Sequence, residues 1–261
     1  IDFKPLLGVA KQQLHEEADY KAEAAHLLRF GDWLADDDFV EVPDIIDEFT
    51  TRDVLCMSFM RGKPLESVEH EESALRNRVA SELLSLSMRE LFEWRSLQSD
   101  PNFANFLFDH DSQRLQLLDF GATRLINTER AEHFRVVLHA ASEGSDTDLI
   151  AASEQIGYLE SGDPKPYQDA IVELLRTACE PITFAGDFDF SNSGLAARIS
   201  NTAYQMRMKE KFGRLPPPDV LFLHRKLAGL YLLFTRLKAS VPVRDIVLPV
   251  ISTPISSAES S

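Results

Sequence analysis

The feature of the sequence that constrains its fold most is a set of polar residues placed around a predicted hairpin. Asp100 is followed five residues later by Asn105, and Asp119 opens an Asp-Phe-Gly sequence. Between them lie two short β-type runs, 106–109 and 114–120, which are joined by polar residues suited to a tight turn. The pattern predicts a hairpin with a polar residue next to the open end of each strand, Asn105 before the first and Asp119 near the end of the second.

This order of aspartate, asparagine and aspartate matches the needs of phosphoryl transfer. Transfer of a γ-phosphoryl group requires hard oxygen ligands that hold a divalent metal on the phosphates, and a carboxylate that orients the nucleophile. A lone Asp-Phe-Gly is weak evidence, since any strand can end in an acidic turn with glycine. The combination of long helix, loop, hairpin and carboxylate favours a kinase-type site over an ordinary strand-turn-strand.

The flanking sequence predicts an α+β fold whose larger part is helical. Apolar residues recur at helical spacing over 4–30, with Gly31 as the stop, and over 71–94, whereas 39–43 and 54–59 are short β-type runs. Five further helices are predicted over 128–142, 146–160, 164–180, 193–212 and 219–239, with Asp146, Asp163 and Asp219 as N-caps.

The charge of the chain argues against nucleic acid as a partner. The sequence has 27 basic and 42 acidic residues, a formal net charge of −15 that repels phosphates. The most apolar run, 221–237, contains four basic residues, so no segment has the roughly 18 uncharged residues that a spanning helix needs. We predict that this run packs in a helical core; contact of its apolar stripe with a membrane surface or a partner is the alternative.

The two cysteines and the first residue bear on compartment and completeness. Cys56 and Cys179 each lie in an apolar run, as expected of buried, reduced thiols in a cytosolic or matrix-like compartment. The chain opens on Ile1, with neither a basic n-region nor an Arg-rich presequence. We therefore expect that a segment preceding Ile1 was removed or never included.

The motifs around these residues resemble those of the AarF/UbiB family of atypical kinase-like proteins. The loop Gln98-Ser99-Asp100-Pro101-Asn102-Phe103-Ala104-Asn105-Phe106 resembles the catalytic loop of that family, whereas ordinary protein kinases have His-Arg before the aspartate. Segments 17–24, 54–62 and 223–227 resemble its acidic helix motif, its fifth strand with the hinge, and a late helix. The resemblance covers nearly the whole chain.

The resemblance implies a protein-kinase-like fold that binds ATP and Mg²⁺, acts as an ATPase or unorthodox kinase, and supports ubiquinone biosynthesis. It implies a partial small nucleotide-binding lobe over 1–60 and a large helical catalytic lobe over 61–251. The Ser-rich composition of 252–261 predicts a disordered tail. Proteins of lipid or quinone biosynthesis and a membrane surface are the expected partners. The expected location is the cytoplasm or inner membrane of a bacterium, or the matrix side of a mitochondrion.

The resemblance also implies roles for single residues of this sequence. Asp100 would be the catalytic aspartate, and Asn105 and Asp119 would be the metal ligands. The hinge backbone of Ser58, Phe59 and Met60 would contact adenine, although Ser58 stands where an acidic residue is expected.

Two glutamates of the first predicted helix compete for the partnership with a phosphate-gripping lysine. Glu17 lies three residues from Leu14, on the flank of the apolar stripe, while Glu23 shares another face with Tyr20 and Leu27. We favour Glu17 for the lysine and Glu23 for a supporting role. The alternative is that both are solvated helix carboxylates.

Several parts of a conventional kinase are absent from the sequence. No phosphate loop and no strand lysine precede the first helix, and the family's Lys-x-Gly-Gln motif is missing, so we expect a truncated or partial chain with weak nucleotide affinity. Asn102 replaces the lysine that neutralises the transferred phosphate, and no long activation segment follows Gly121. These departures favour ATP hydrolysis or a small or lipid-like substrate over a protein substrate.

Two other functions stay open at this point. Small-molecule phosphotransferases of the aminoglycoside and choline kinase type also place an asparagine five residues after the aspartate. A catalytically inactive kinase-like scaffold is the third hypothesis, and the missing phosphate loop favours it. Function does not follow from fold, so the choice among these three functions depends on the residues of the site.

Overall fold

A computed structural model describes residues 19–100, 102–208 and 216–255, with the side chains of 207 and 208 excepted. Contacts between Cα atoms divide the chain into two compact units, the first made of 1–75 and 98–124, the second of 76–97 and 125–261. These units are defined by compactness, so the lobe boundary at residue 60 stays a prediction. Within the tail predicted to be disordered, the Ser252 N–H donates to the Leu248 carbonyl at 3.0 Å and the Ile255 N–H to Glu132 Oε2 at 3.1 Å, whereas 256–261 lie outside the described residues.

The first unit begins, in its described part, with helix α1 (Tyr20–Trp33). Asp19 is its N-cap, accepting hydrogen bonds from the backbone N–H groups of Lys21 at 3.1 Å and Ala22 at 3.3 Å. One continuous helix over 4–30 is therefore wrong at Asp19, because a short carboxylate competes for backbone donors and starts a helix. Residues 4–18 lie outside the described part of the chain.

The end of α1 also differs from the prediction. Gly31 lies inside the helix rather than at its stop, and the last turn closes with the Leu34 N–H donating to the Phe30 carbonyl at 3.0 Å. A Cβ added at Gly31 would lie 3.6 Å from a Val42 methyl, an ordinary contact. The buried face of the helix consists of Ala24, Leu27 and Phe30.

Six short strands follow in chain order: β1 (Val40–Glu41), β2 (Lys63–Pro64), β3 (Ser96–Gln98), β4 (Phe106–Asp109), β5 (Arg114–Leu117) and β6 (Thr123–Leu125). Four of them form a sheet in the order β1-β5-β4-β2, and β3 pairs with β6. Strand β1 runs parallel to β5, while β2 and β5 are antiparallel to β4. Strands β4 and β5 are the predicted hairpin.

The hairpin is confirmed, but its second strand is shorter than predicted. Its register pairs Phe106 with Leu117 and Asp109 with Arg114, and Gln113 supplies a left-handed residue of the turn at φ 59°. The strand predicted to reach residue 120 ends at Leu117, because the chain turns beyond it into the Asp-Phe-Gly sequence.

The other two predicted strands of this unit are reduced to fragments. Of 39–43 only Val40–Glu41 is a strand, and 54–59 contributes an isolated antiparallel bridge between Ile45 and Met57. Two backbone hydrogen bonds flank this bridge: the Ser58 N–H donates to the Asp44 carbonyl at 2.8 Å, and the Ile46 N–H donates to the Cys56 carbonyl at 2.9 Å. A β-type sequence run forms a strand only where a partner strand of similar length faces it.

The second unit is mainly helical. In chain order its helices are α2 (Ser73–Met88), α3 (Thr128–Ser142), α4 (Asp146–Ile156), α5 (Lys165–Ala178), α6 (Glu180–Thr183), α7 (Leu195–Met208), α8 (Pro218–Arg236) and α9 (Val243–Ile251). A small antiparallel pair, β7 (Phe188–Asp189) with β8 (Ser240–Val241), completes it. The predicted helices are confirmed within a few residues, although 209–212 lies outside the described part.

The predicted N-caps of three helices are wrong by one or two residues. Helix α4 starts from Ser145, whose hydroxyl accepts from the Asp148 N–H at 3.2 Å in a capping box. Helices α5 and α8 follow Pro164 and Pro217 in the cap position, not Asp163 and Asp219. Proline fixes the backbone angle needed to enter a helix, so no side-chain cap is required there.

The apolar stripe of α8 lies in the core, as predicted. Leu230, Leu233 and Phe234 are buried, and Leu237 follows them into the same core. Lys226, which the sequence suggested as a flanking charge, is buried as well. No helix in the described part of the chain has the length and apolar character to cross a bilayer.

The two cysteines differ in burial. Cys179 is buried, as predicted, whereas Cys56 is half-buried, and neither forms a disulfide. Cys179 follows α5, and Cys56 lies beside the isolated bridge of the first unit. Their different surroundings make them probes of the two units.

Candidate functional site

Asp100 and Asn105 are brought together by a one-turn 3₁₀ segment, Phe103–Asn105. The Asn105 side-chain amide donates to Asp100 Oδ2 at 2.8 Å. Asn102 caps the turn, because its side-chain oxygen accepts from the Ala104 N–H at 3.1 Å. Asn105 is only 8% exposed, whereas Asp100 is half-buried. Asp100 is therefore the member of the pair that is more accessible to solvent.

The hairpin carries Asn105 towards Asp119. The Leu118 N–H donates to the Asn105 carbonyl at 2.9 Å, one step beyond the last paired residues of β4 and β5. Asp119 is half-buried, and its Oδ1 accepts from the Gly121 N–H at 2.9 Å, which fixes the carboxylate in the turn. The three residues predicted from spacing alone therefore lie on one continuous hydrogen-bonded scaffold.

Two polar residues before Asp100 hold the loop in place, and the sequence had given them no role beyond a family motif. Ser99 is fully buried, and its hydroxyl donates to the Ala122 carbonyl at 2.8 Å. Gln98 is 2% exposed, and its amide nitrogen lies 3.5 Å from the Asp119 carbonyl. The signal in the sequence was a pair of polar residues between a buried leucine and the aspartate.

Glu23 is the described residue of α1 that reaches this scaffold. Its Oε1 accepts from the Phe120 N–H at 3.2 Å. Burial raises the pKa of Glu23, and the neighbouring Asp119 carboxylate raises that pKa further. A Cβ at Gly121 would lie 3.4 Å from Glu23 Oε2 and 3.5 Å from Asp119 Oδ1, so glycine leaves room for both carboxylates.

Apolar packing fastens α1 to the same turn. Phe120 is fully buried, and its ring centroid lies 4.9 Å from that of Phe30 on α1. Glu23 and Phe30 thus contact the Asp-Phe-Gly turn through one polar and one aromatic interaction. Glu17, favoured as the lysine partner, lies outside the described residues, so the choice between Glu17 and Glu23 stays a prediction.

The predicted adenine contact lies on the segment after the isolated bridge. The Ser58 N–H donates to the Asp44 carbonyl at 2.8 Å, and the Ser58 hydroxyl accepts from the Asp44 N–H at 2.9 Å. Phe59 is 87% exposed and Met60 half-buried. Because Ser58 donates its N–H within the protein, the adenine contact remains a prediction that concerns mainly the backbone of Phe59 and Met60.

The donor set suits magnesium. Mg²⁺ prefers oxygen ligands and is usually held by one or two carboxylates together with substrate phosphates. The Asn105 amide nitrogen is engaged by Asp100, which leaves its carbonyl oxygen as the ligand atom, and Asp119 adds a carboxylate. Among the described residues no group of three or more His, Cys, Asp or Glu side chains forms a metal cluster, so the site depends on this Asn-Asp pair.

Relatives of known sequence share most of this chain. The mitochondrial atypical kinase COQ8B of Rattus norvegicus is 38% identical over 240 residues, which cover 92% of this chain and 45% of that protein. The mitochondrial atypical kinase COQ8 of Saccharomyces cerevisiae is 32% identical over 237 residues, 89% of this chain and 46% of that protein. The chain therefore spans less than half the length of these relatives.

Structure and family profile agree with the sequence comparison. The Mycobacterium tuberculosis protein Rv3197, solved as a complex with erythromycin, superposes with a TM-score of 0.74 at 19% identity, over 97% of this chain and 64% of that one. At that identity the likeness concerns the fold, and the expected α+β kinase-like fold is confirmed. The profile of the ABC1 atypical kinase-like domain matches residues 2–153, more than half of the chain. The chain belongs to the ABC1 atypical kinase-like family, which the AarF/UbiB resemblance had indicated.

Proposed function

We propose that this family member is an ATP- and Mg²⁺-dependent atypical kinase or ATPase that supports ubiquinone biosynthesis. The observation that carries the proposal is the 2.8 Å hydrogen bond between Asn105 and Asp100, on the scaffold that also carries Asp119. The relatives bear the name of atypical kinases, and they are more than twice as long as this chain. Their activity is therefore extended here as a proposal.

In this proposal Asp100 orients the group that attacks the γ-phosphorus. A carboxylate in this role accepts a hydrogen bond from the attacking hydroxyl or water and fixes its direction. The Asn105 amide holds Oδ2 of Asp100, so the carboxylate has a defined rotation before substrate arrives. Such preorganisation lowers the reorganisation needed during the reaction.

Asn105 and Asp119 would hold Mg²⁺ through their side-chain oxygens. When bound, the ion neutralises charge on the phosphate oxygens. Gly121 fixes the Asp119 carboxylate, and the backbone of Leu118 fixes Asn105. These hydrogen bonds, together with that from the Asn105 amide to Asp100, support the proposal that both side chains are positioned before nucleotide binds.

The short path from the Asp-Phe-Gly turn to the next helix favours a small acceptor. Strand β6 ends at Leu125, and α3 starts at Thr128 with Asn127 as its N-cap. This connection has no room for the long segment on which protein kinases dock a peptide. We propose water or a small, lipid-like precursor as the acceptor.

The partners and location follow the same proposal. We propose proteins of quinone biosynthesis as partners and the matrix side of a mitochondrial inner membrane, or a bacterial counterpart, as the location. The two relatives compared above are named as mitochondrial proteins. Co-purification with enzymes of quinone biosynthesis, or its absence, tests this part.

The nucleotide site is tested by thermal unfolding with and without Mg-ATP. We expect Mg-ATP at concentrations high enough to offset weak affinity to raise Tm of the native chain, since a ligand that binds the folded state stabilises it. The Asp119→Asn variant should lose this rise. Asp111→Asn, at an exposed position of the hairpin turn, is the matched control and should keep the rise. A rise that survives in Asp119→Asn contradicts the proposed metal site.

A second experiment separates the proposal from its rivals. The same assay is run on a chain extended upstream to include a strand lysine, and ADP release is followed with and without acceptor. An ATPase releases ADP without acceptor, and a phosphotransferase does so only with one. A flat Tm in the extended chain would instead support a scaffold.

A further inference from the structure

A groove of about 430 Å³ lies in the second unit, between the end of α2 and α9. One wall is a single face of a helix, because its residues recur three and four apart. The lining residues are Ser85, Met88, Arg89, Phe92, Glu93 and Arg95 on one side, with Ile246, Val250 and 253–255 on the other. The volume falls within the range of small-molecule sites.

The floor of the groove is apolar. Met88 and Phe92 are only 4% and 8% exposed, and Ile246 and Val250, one helical turn apart, are half-buried. These side chains offer a continuous hydrocarbon and aromatic surface without a buried polar group that would need a partner. An apolar chain is therefore the part of a ligand that this floor accommodates.

The wall from α2 is shaped by a π-turn over Arg89–Glu93. The Trp94 N–H donates to the Arg89 carbonyl at 2.9 Å, and Glu90 is buried against Lys226, with Nζ–O distances of 2.9 and 3.2 Å. A π-turn in an α-helix is rare and occurs frequently at functional sites. The Glu90–Lys226 pair anchors the inner side of this π-turn in the core, while Arg89, Phe92 and Glu93 line the groove.

Two arginines, Arg89 and Arg95, line the groove. Arg95 adopts a left-handed backbone at φ 51°, a strained position for an arginine. Its carbonyl accepts from the Ile126 N–H at 2.9 Å, and its guanidinium donates one N–H to Thr128 at 2.9 Å, which holds it there. The Arg89 guanidinium lies over the Trp94 ring at 4.5 Å, and its Nε lies 3.9 Å from an oxygen of Glu93, a solvent-exposed pair that holds it only weakly.

The charge at the groove is opposite to that of the chain. Arg89 and Arg95 outnumber Glu93 among the lining residues, whereas the chain as a whole has a net charge of −15. A cation pair in an acidic protein attracts an anion only locally, within about a Debye length, roughly 8–10 Å. The groove therefore combines an apolar floor with a local preference for a negative group.

The segment after α9 is fixed rather than loose. The Ile255 N–H donates to Glu132 Oε2 at 3.1 Å, and Arg135 donates to the Ile251 carbonyl at 2.6 Å. Both partners are on α3, so the lining residues 253–255 are tied to the helical core. The groove is thus a preformed feature of the second unit.

We propose that this groove binds a single-chain amphiphile with an anionic head. Its hydrocarbon chain lies on Met88, Phe92 and Val250, and its phosphate or carboxylate faces Arg89 and Arg95. Arginine is suited to both head groups, because its planar donors match two acceptor oxygens. The inference concerns a site in the second unit and does not depend on the nucleotide site.

Binding is measured by the fluorescence of Trp94, which lies beside the groove, in a chain carrying Trp33→Phe, since the sequence has two tryptophans. The probes are dodecyl phosphate, dodecanol and dodecyltrimethylammonium, each below its micellar concentration. We expect dodecyl phosphate to bind at least about tenfold more tightly than the cationic amphiphile, a difference of about 1.4 kcal/mol. Equal affinity for the three probes overturns the proposal.

Two sets of variants locate the binding. Arg89→Gln with Arg95→Gln should remove the preference for phosphate, while the charge-matched control Arg52→Gln with Lys165→Gln, at exposed positions, should keep it. Thr253→Phe fills the groove from an exposed position and should abolish binding of dodecyl phosphate, and Thr183→Phe is its control. Circular dichroism melts show whether each variant is folded.

Three further results would contradict the proposal. The first is dodecyl phosphate binding that is unchanged in folded Thr253→Phe, and the second is a phosphate preference that is unchanged in the double arginine variant. The third is binding to phosphatidylserine vesicles without binding to monomeric dodecyl phosphate. That result would assign these arginines to a membrane surface instead of a groove.

Discussion

One glutamate in each unit has surroundings opposite to those of the other. In the second unit Glu90 is fully buried, and the Lys226 ammonium lies 2.9 and 3.2 Å from its two oxygens. In the first unit Glu23 is half-buried beside Asp119, another carboxylate, and accepts a backbone N–H. One carboxylate is matched with a cation inside the protein, and the other is placed next to a like charge.

This difference agrees with the proposal that Glu90 has a structural role and that Glu23 belongs to the nucleotide site. Burial and a neighbouring carboxylate both disfavour the charged form, so the Glu23–Asp119 arrangement costs stability unless a cation joins it. Protein sites that bind metal or perform chemistry commonly carry such perturbed groups. The Glu90–Lys226 pair, in contrast, holds the π-turn of the second unit in one geometry.

The largest expected effect is the loss of the buried cation of the second unit. Lys226→Met removes the buried ammonium beside the Glu90 carboxylate and should lower the free energy of unfolding by about 3–5 kcal/mol. Urea unfolding followed by circular dichroism measures the change. A loss below about 1 kcal/mol would show that the pair is not a structural anchor and would remove the contrast with the first unit.

The double variant Lys226→Met, Glu90→Leu sharpens the same comparison. Replacing a buried ion pair by apolar residues of similar volume is often neutral, so stability should return towards that of the native protein. If the double variant is as unstable as Lys226→Met, the cost lies in packing and not in the uncompensated charge. The result therefore shows whether the loss of stability in Lys226→Met comes from the charge of Glu90 or from packing.

The second prediction uses the two thiols as reporters of the two units. Complete burial raises the pKa of Cys179 in the second unit to about 12, whereas Cys56 in the first unit is half-buried. A raised pKa leaves Cys179 with far less of the reactive thiolate at pH 8, in addition to poor access. A thiol reagent at pH 8 should therefore modify Cys56 first and Cys179 only after denaturation; Cys56→Ser is the control.

The third prediction concerns the backbone contact of Glu23. Glu23→Ala leaves the N–H of buried Phe120 without its acceptor and should cost about 1–3 kcal/mol of unfolding free energy. Glu23→Gln keeps an acceptor oxygen and removes the like charge beside Asp119, so it should cost much less. If the two variants are equally unstable by urea unfolding, the negative charge of Glu23 stabilises the turn and the contrast with Glu90 fails.

The helices and the proximity of Asp100 and Asn105 could be predicted from the sequence, because both depend on residues that are close along the chain. Apolar spacing predicts α3 and α8 without knowledge of their neighbours, and the five-residue interval places Asn105 within reach of Asp100 once a 3₁₀ turn forms. The hairpin followed from two β-type runs around a polar turn. These features need only a few consecutive residues.

The parts that sequence reasoning missed depend on partners far along the chain. Glu90 and Lys226 are separated by 136 residues, and Gln116 is buried although glutamine is usually exposed. The Gln116 side chain accepts from the Gly62 N–H at 2.9 Å, and a Cβ at Gly62 would lie 2.6 Å from that oxygen. Such contacts are tertiary, so composition and periodicity do not reveal them.

The smallest expected effect is a pH dependence in the second unit. Hydrogen bonds from Arg135 hold the pKa of Glu132 below its usual range, and this glutamate also accepts the Ile255 N–H. A folded pKa below the unfolded one contributes stability above the unfolded value, about 4.3, that is lost as pH falls through the folded value. Glu132→Gln should therefore be less stable than the native chain at pH 7, by about 0.5 kcal/mol, and the gap should narrow as pH falls below about 4. Glu129→Gln, at an exposed position of the same helix, should show no such narrowing. A gap independent of pH would mean that the Glu132 contacts act through geometry and not through charge.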